Sequence, residues 1–182
     1  MIQRIQSFYL ILAACAMALC FVFPLVTSDA KNADTGVEVL SQLNLMPQGD
    51  AQDNALEQAA QGSQSIVIQQ TLNTWPLMIL AAVCVLIAVV SIFLYKNRTR
   101  QVRVVATGFL LNVVFLFLLF IWAMDKYQDY FVQMATALGC GDTTPHLSVG
   151  AWSSVISLVL FFLAQRAIKK DEAKVRAADR LR

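Results

Sequence analysis

The sequence predicts an all-α integral membrane protein. Four transmembrane helices form a bundle, two short strands can pair in a small extracytoplasmic cap, and the C-terminus continues as a cytoplasmic helical extension. Three observations carry this expectation. Of the 182 residues 58% are hydrophobic and 14% charged, at a mean hydropathy of +0.59, whereas a soluble domain carries roughly 25% charged residues. The apolar residues fall into four nearly uncharged runs, each matching the ~20 residues that a spanning helix needs. The cations are also segregated: Arg4, four in the stretch Lys96–Arg103 and seven from Arg166 to Arg182 make 12 of the 14. Residues 27–74 and 125–147 hold only Lys31 and Lys126, with nine of the 12 acids. Cytoplasmic segments are enriched in Lys and Arg, so both termini and the 96–103 hairpin are placed inside, and both long loops outside. The spans and loops leave no room for a large soluble catalytic domain, so 1–182 is read as one membrane domain.

Span one covers about 7–26 and contains no charge between Ser7 and Val26. Its apolar run is too long for the h-region of a cleaved signal peptide, although Ser28-Asp29-Ala30 is a passable cleavage site. Leu12-Ala13-Ala14-Cys15 matches a lipoprotein box, but the residues after it stay apolar through Val26, so the match is read as chance. Pro24 sits near the outer end, where water can replace the lost backbone bond.

The outer loop 27–74 opens with turn-forming residues. From Val37 the side chains alternate, with Val37, Val39, Ser41, Leu43 and Leu45 on one face, which predicts a half-buried strand. Pro47-Gln48-Gly49-Asp50 breaks it. Residues 48–64 read either as a helical turn or two from Asp53 to Ala60 or as a mobile polar segment. Ile66–Gln70 is a second strand, and the expected product is an antiparallel pair packed on the outer helix ends, since two strands alone are marginal in water.

Span two covers about 75–95, with Trp75 at the interface and Pro76 in the first turn, where its missing N–H is harmless. The basic hairpin 96–103 follows, anchored by Tyr95 and Lys96. Span three covers about 104–124 and has one strongly polar residue, Asn112. Its helix is expected to run on beyond the membrane, because Tyr127, Phe131, Met134 or Ala135, and Leu138 trace a helical stripe. Gly139-Cys140-Gly141 supplies the stop, and the strand pair is expected to dock on the stripe. Span four covers about 146–165, with Thr144 as cap and Pro145 in the first turn. The outer loop before it is 125–145. No breaker interrupts the tail 166–182, where Glu172 and Arg176 form a favourable i,i+4 pair and Ile168, Val175, Ala178 and Leu181 trace a thin apolar seam.

Met1-Ile2-Gln3-Arg4-Ile5-Gln6-Ser7, Phe93-Leu94-Tyr95-Lys96-Asn97-Arg98 with Gln101, and Arg166-Ala167-Ile168-Lys169-Lys170-Asp171-Glu172 through Asp179-Arg180-Leu181-Arg182 carry a resemblance. In this order they resemble a family of small uncharacterised bacterial membrane proteins of the Bacteroidota, catalogued as a domain of unknown function. The match spans the whole chain, least in the outer loop. It implies a four-span inner-membrane protein and supplies no activity or catalytic residue.

Intramembrane catalysis or coupled transport draws on ionisable groups facing the bundle interior, and the spans hold no Asp, Glu, Lys, Arg or His at depth. Asn112, Ser91, Thr107, Ser153, Ser154 and Ser157 are the polar set, read as hydrogen-bond glue between helices; the rival reading is a water-lined path through Asn112 and the span-four serines. His146, Cys140 and Asp142 fall short of the three or four ligands of a zinc site, so no metal and no cofactor is expected. Cys15, Cys20 and Cys84 count as small apolar residues; Cys140 leaves pairing between two protomers open. No phosphate loop or nucleophile elbow is present.

The expected function is therefore non-enzymatic: an accessory or scaffold subunit of an inner-membrane assembly. The first alternative is a transporter or channel component. The second is a membrane enzyme in which Asp125, Asp129 and Asp142 converge with His146. The expected partners are the bilayer and either a protein or a second copy of the chain, with no nucleic acid. Cations near a membrane surface attract anionic headgroups, which accounts for the hairpin. The tail mixes in Asp171, Glu172 and Asp179, which suits a protein partner better. The residues assigned to docking are Arg98, Arg100, Arg103, Lys169, Lys170, Glu172, Val175, Arg176, Arg180 and Leu181.

Overall fold

The computed structural model describes residues 2–31, 38–46, 65–70, 74–94, 97–137 and 143–179. Its elements run α1 (Ile2–Val22), β1 (Val26–Lys31), β2 (Glu38–Leu43), β3 (Ser65–Gln70), α2 (Trp75–Phe93), α3 (Arg98–Phe117), a π-helical segment (Leu118–Ala123), α4 (Met124–Ala137), β4 (Thr143–Leu147) and α5 (Val149–Asp179). Three helices are long and apolar enough to cross a membrane, within Trp75–Phe93, Thr99–Gln133 and Val149–Lys174, and α1 contributes the shorter apolar stretch Ser7–Val22. The chain forms two compact units.

The first unit comprises Met1–Leu19, Ile79–Leu116 and Ser153–Arg182, and is helical. Its core is built largely from small residues: Leu10, Ala13 and Ala16 of α1, Ala88 of α2, Val105 of α3, and Leu160, Phe161, Ala164 and Ile168 of α5. Small side chains let helix backbones approach closely, which is how apolar helices associate when their surroundings are apolar too. Gly108 extends this logic, since a Cβ there would sit 2.9 Å from both Ile87 Cγ2 and Phe161 Cε1. Phe109 and Phe162 add a tilted ring pair at 6.2 Å. The large apolar side chains point outward instead, with Leu86 and Leu110 each 62% and Phe93 74% exposed. An apolar exterior of this extent would be a liability in water.

The second unit comprises Cys20–Met78 and Phe117–Trp152, and holds a four-stranded sheet in the order β3-β2-β1-β4. β1 pairs antiparallel with both β2 and β4, placing Ser28 opposite Ser41 on one side and opposite Pro145 on the other. The expected alternation holds in β2 and beyond: Ser41, Leu43 and Leu45 are buried, while Leu40, Gln42 and Asn44 are half-buried. α4 packs on the sheet, against β1, β2 and β4, as the Tyr127 stripe anticipated. Tyr127, Phe131 and Ala135 are all buried, and the two rings stack at 6.2 Å and 4°.

Several expectations are corrected. The sheet has four strands, not two, so the all-α description gives way to a mostly helical chain with a small β-sheet. β2 and β3 pair in parallel, with Val39 opposite Ile66; residues 44–64 between them are long enough for the crossover a parallel pair requires. α1 stops at Val22, before Pro24, because a residue preceding proline is pushed out of helical geometry; Val26, assigned to span one, starts β1 instead. Thr143–Leu147 is a strand, so Thr144 is not a cap and Pro145 does not open a helix. Pro145 lies on an edge strand, where a missing N–H is tolerated, and Ser148 occupies the N-cap position of α5, with its carbonyl accepting Ala151 N–H at 3.1 Å. The hairpin is tighter than expected: α3 already begins at Arg98, behind Asn97 at the N-cap position, whose carbonyl accepts Gln101 N–H at 3.0 Å. Pro47–Ala60, Leu138–Asp142, Arg180 and Leu181 lie outside the described residues.

Candidate functional site

The interior polar residues of the helical unit meet at one point. Asn112 on α3 is fully buried and donates from Nδ2 to Ser157 Oγ on α5 at 3.1 Å, with Met17 Sδ on α1 a weaker acceptor at 3.9 Å. Ser157 Oγ donates in turn to the Ala13 carbonyl of α1 at 3.1 Å. Three helices are thus tied by side-chain bonds in a low-dielectric interior, where each bond is stronger than in water. Asn112 Oδ1 is buried and receives no hydrogen bond from the chain. The other polar residues also serve the fold. Ser91 Oγ donates to its own helix at Ile87 O, 2.6 Å, and Thr107 Oγ1 to Arg103 O, 3.0 Å. Ser153 and Ser154 are buried and engaged.

At the helix hairpin, Gln101 is buried and donates from Nε2 to the Ser91 carbonyl at 3.0 Å. That carbonyl belongs to the last turn of α2, where helices leave acceptors without an intrahelical partner. Arg100 and Arg103 are exposed, and Arg98 stands in the first turn of α3. Along α5, Lys169 and Lys170 are exposed, Glu172 is half-buried and Asp171 is buried. Asp171 and Glu172 are both engaged within the fold. Ile168, placed on the sequence-derived seam, lies fully buried in the core. The seam therefore begins inside the bundle and is not an outward face at that position. Asp171, three residues on, follows Ile168 on the same face; the i,i+3 spacing was the signal that could have found it. Val175 and Arg176 continue the helix.

In the sheet unit Asp125 and Asp129 are exposed on α4 and His146 is exposed on β4, so these three do not share a buried cleft. Asp142 and Cys140 lie outside the described residues. Sequence reasoning missed the Tyr127 phenol as a polar feature. It is fully buried, and its oxygen lacks a well-formed hydrogen bond, although the hydroxyls of Ser28 and Ser41 stand next to it. Burial pushes the phenol above its ordinary value of 10.0, and the two serines oppose that shift. At the start of α5, Gly150 N–H donates to the Pro24 carbonyl at 3.0 Å and its own carbonyl accepts Cys20 Sγ–H at 3.2 Å.

Comparison with curated proteins and with solved structures returned no match. A family model does match, described as a domain of unknown function, DUF4293, over residues 2–181. That match takes in the Asn112–Ser157 cluster, the basic hairpin, the sheet and nearly all of the tail, so the chain belongs to the DUF4293 family.

Proposed function

We propose that this protein is a four-span subunit of a bacterial inner-membrane assembly, with both termini cytoplasmic, and that it acts as an accessory or scaffold without catalytic activity. The observation that carries the reading is where the polar chemistry lies. The deep polar groups are directed into the fold, with Asn112 and Ser157 bonded across helices and Ser91 and Thr107 to their own. The exposed charge collects at the hairpin and the tail, where Arg100, Arg103, Lys169 and Lys170 face outward. A protein built for intramembrane chemistry would place ionisable groups toward its interior. α1 serves as the fourth span, since its 21 residues reach about 31 Å at 1.5 Å each, against a hydrocarbon core of about 30 Å.

Reporter fusions at residues 50 and 182 test the orientation; an exported C-terminal reporter overturns it. Partner binding is tested by affinity purification from mild detergent. Val175→Asp combined with Leu181→Asp abolishes co-purification of a protein partner while the chain stays in the membrane. Lys169→Glu with Lys170→Glu weakens a purely lipid-anchored tail by increments. A partner profile unchanged in both variants defeats the docking role.

A further inference from the structure

Asn112 poses a hydrogen-bond problem that the chain does not solve by itself. Its Nδ2 has two hydrogens, and the structure gives both an acceptor, Ser157 Oγ and Met17 Sδ. Ser157 has one hydroxyl hydrogen, directed to the Ala13 carbonyl. Ser157 can therefore only accept from Asn112, and this fixes the amide with its nitrogen toward Ser157. Oδ1 is left as a buried acceptor that no N–H or O–H of the chain reaches. Buried amide oxygens in native folds have a partner in protein or ordered water, so the donor must come from outside the chain.

We propose that Asn112 Oδ1 is the anchor of a binding site for a single internal water, held where α1, α3 and α5 meet. Size and chemistry select water. Asn112 and Ser157 are both 0% exposed, so the occupant is sealed among the helices. The direct bonds from Asn112 through Ser157 to Ala13 draw those three helices together at that level. Buried waters make about three hydrogen bonds. Here Asn112 Oδ1 accepts one hydrogen of the water, and the remaining lone pairs of Ser157 Oγ and Met17 Sδ are acceptors in the same cluster. The water completes the polar pin between the helices and is not a link in a conduit. The proposal rests on donor and acceptor counts within the helical unit and stands whether or not the accessory role is correct.

The test uses the full chain in lipid bilayers, labelled with ¹⁵N-asparagine, in proton-detected solid-state NMR. The expected result is a through-space cross-peak between the Asn112 side-chain amide and a water resonance distinct from bulk, persisting at short mixing times. Asn112→Leu assigns the signal by abolishing it. Ser157→Ala leaves Oδ1 in place and must retain the water peak, which serves as the control if the Asn112 variant does not fold. A wild-type spectrum in which Asn112 touches the Met17 methyl but no water overturns the proposal. A water signal that exchanges at the bulk resonance overturns it too, since that describes an open hydrated path.

Discussion

Replacing Gly150 with alanine tests the tightest backbone approach in the sheet unit. A Cβ at this position would lie 2.7 Å from the carbonyl oxygens of both Phe23 and Pro24, where ordinary contact begins at 3.4 Å. Both obstacles are main chain, so no rotamer change relieves them. The segment they belong to is itself held, because Leu25 N–H donates to the Leu43 carbonyl at 2.8 Å and Ser148 N–H to the Leu25 carbonyl at 3.1 Å. Overpacking of this kind costs about 1–3 kcal/mol. Displacing Gly150 also stretches its 3.0 Å bond to Pro24, a loss of about 1 kcal/mol. Alanine's helix preference returns at most about 1 kcal/mol, and less in a first turn. Gly150→Ala should therefore destabilise the protein by about 2 kcal/mol, following these same ranges. Gly108→Ala is the comparison: its Cβ meets side-chain atoms of Ile87 and Phe161 at 2.9 Å, which can shift, so its cost should stay near 1 kcal/mol, at the lower end of the overpacking range. Equilibrium unfolding in mixed micelles, followed by circular dichroism, measures both. A Gly150→Ala variant as stable as wild type would refute the close approach, and the reverse order of the two would refute the distinction between backbone and side-chain obstacles.

Ser157→Ala removes the bond between Asn112 and the α1 backbone and should lower stability by about 0.6–1.7 kcal/mol, the range for hydrogen bonds between helices in membranes; an unchanged unfolding curve in micelles would show the cluster to be slack. Gln101→Leu leaves the Ser91 carbonyl without its partner, so hydrogen exchange should quicken in the last turn of α2 while the rest of the helix keeps its protection. Tyr127→Phe removes a buried hydroxyl without a well-formed bond and should leave stability equal or raise it by up to about 1 kcal/mol. The pH dependence has a definite sign. Because burial raises the phenol above 10.0, the unfolded chain loses that proton first, so the contribution of Tyr127 is full below pH 10 and declines as pH rises further. The phenylalanine variant should lack that share of the alkaline decline, and identical profiles would remove the basis for it.

The helices were legible because their signal is redundant: each apolar run repeats one message about 20 times, and the flanking cations bracket it. The α4 stripe was legible from Tyr127 and Phe131 alone, since few other residues could cover a sheet. The sheet was only half legible. Leu43 and Leu45 announce β2 by alternation, but β1 reads Val26-Thr27-Ser28-Asp29-Ala30-Lys31, and its buried members after Val26 are a serine and an alanine. Such small residues can face either core or solvent, so alternation in size could not be seen. β4 was hidden by Thr144-Pro145, a pair that opens helices as readily as it sits on a sheet edge. Pairing direction was hidden altogether, because nothing in β2 or β3 encodes whether the 44–64 connection returns as a hairpin or crosses over. The cluster at Asn112 was half visible: the residue stood out, but its partner on α5 is one of three serines whose rotation about the helix only packing decides.

The π-helical segment follows from the same consideration of faces. Leu119, Ala123, Tyr127, Phe131 and Ala135 are all buried and recur every four residues. In an α-helix of 3.6 residues per turn, each step of four drifts about 40° around the axis. Four such steps amount to about 160° on that geometry, which would carry Ala135 almost to the opposite face from Leu119. A buried stripe is only somewhat wider than 100°. The segment Leu118–Ala123 closes i→i+5 bonds, seen in Met124 N–H donating to the Leu119 carbonyl, and its wider turn offsets the drift at the first step. The remaining positions, Tyr127, Phe131 and Ala135, drift about 80° by the same arithmetic and fit on one face against the sheet. An insertion of one residue relative to a plain α-helix is thus what a four-residue repeat requires. Deleting Phe120, an exposed member of the segment at 45%, should convert it to α-helix and rotate Tyr127 out of its place beside Ser28 and Ser41.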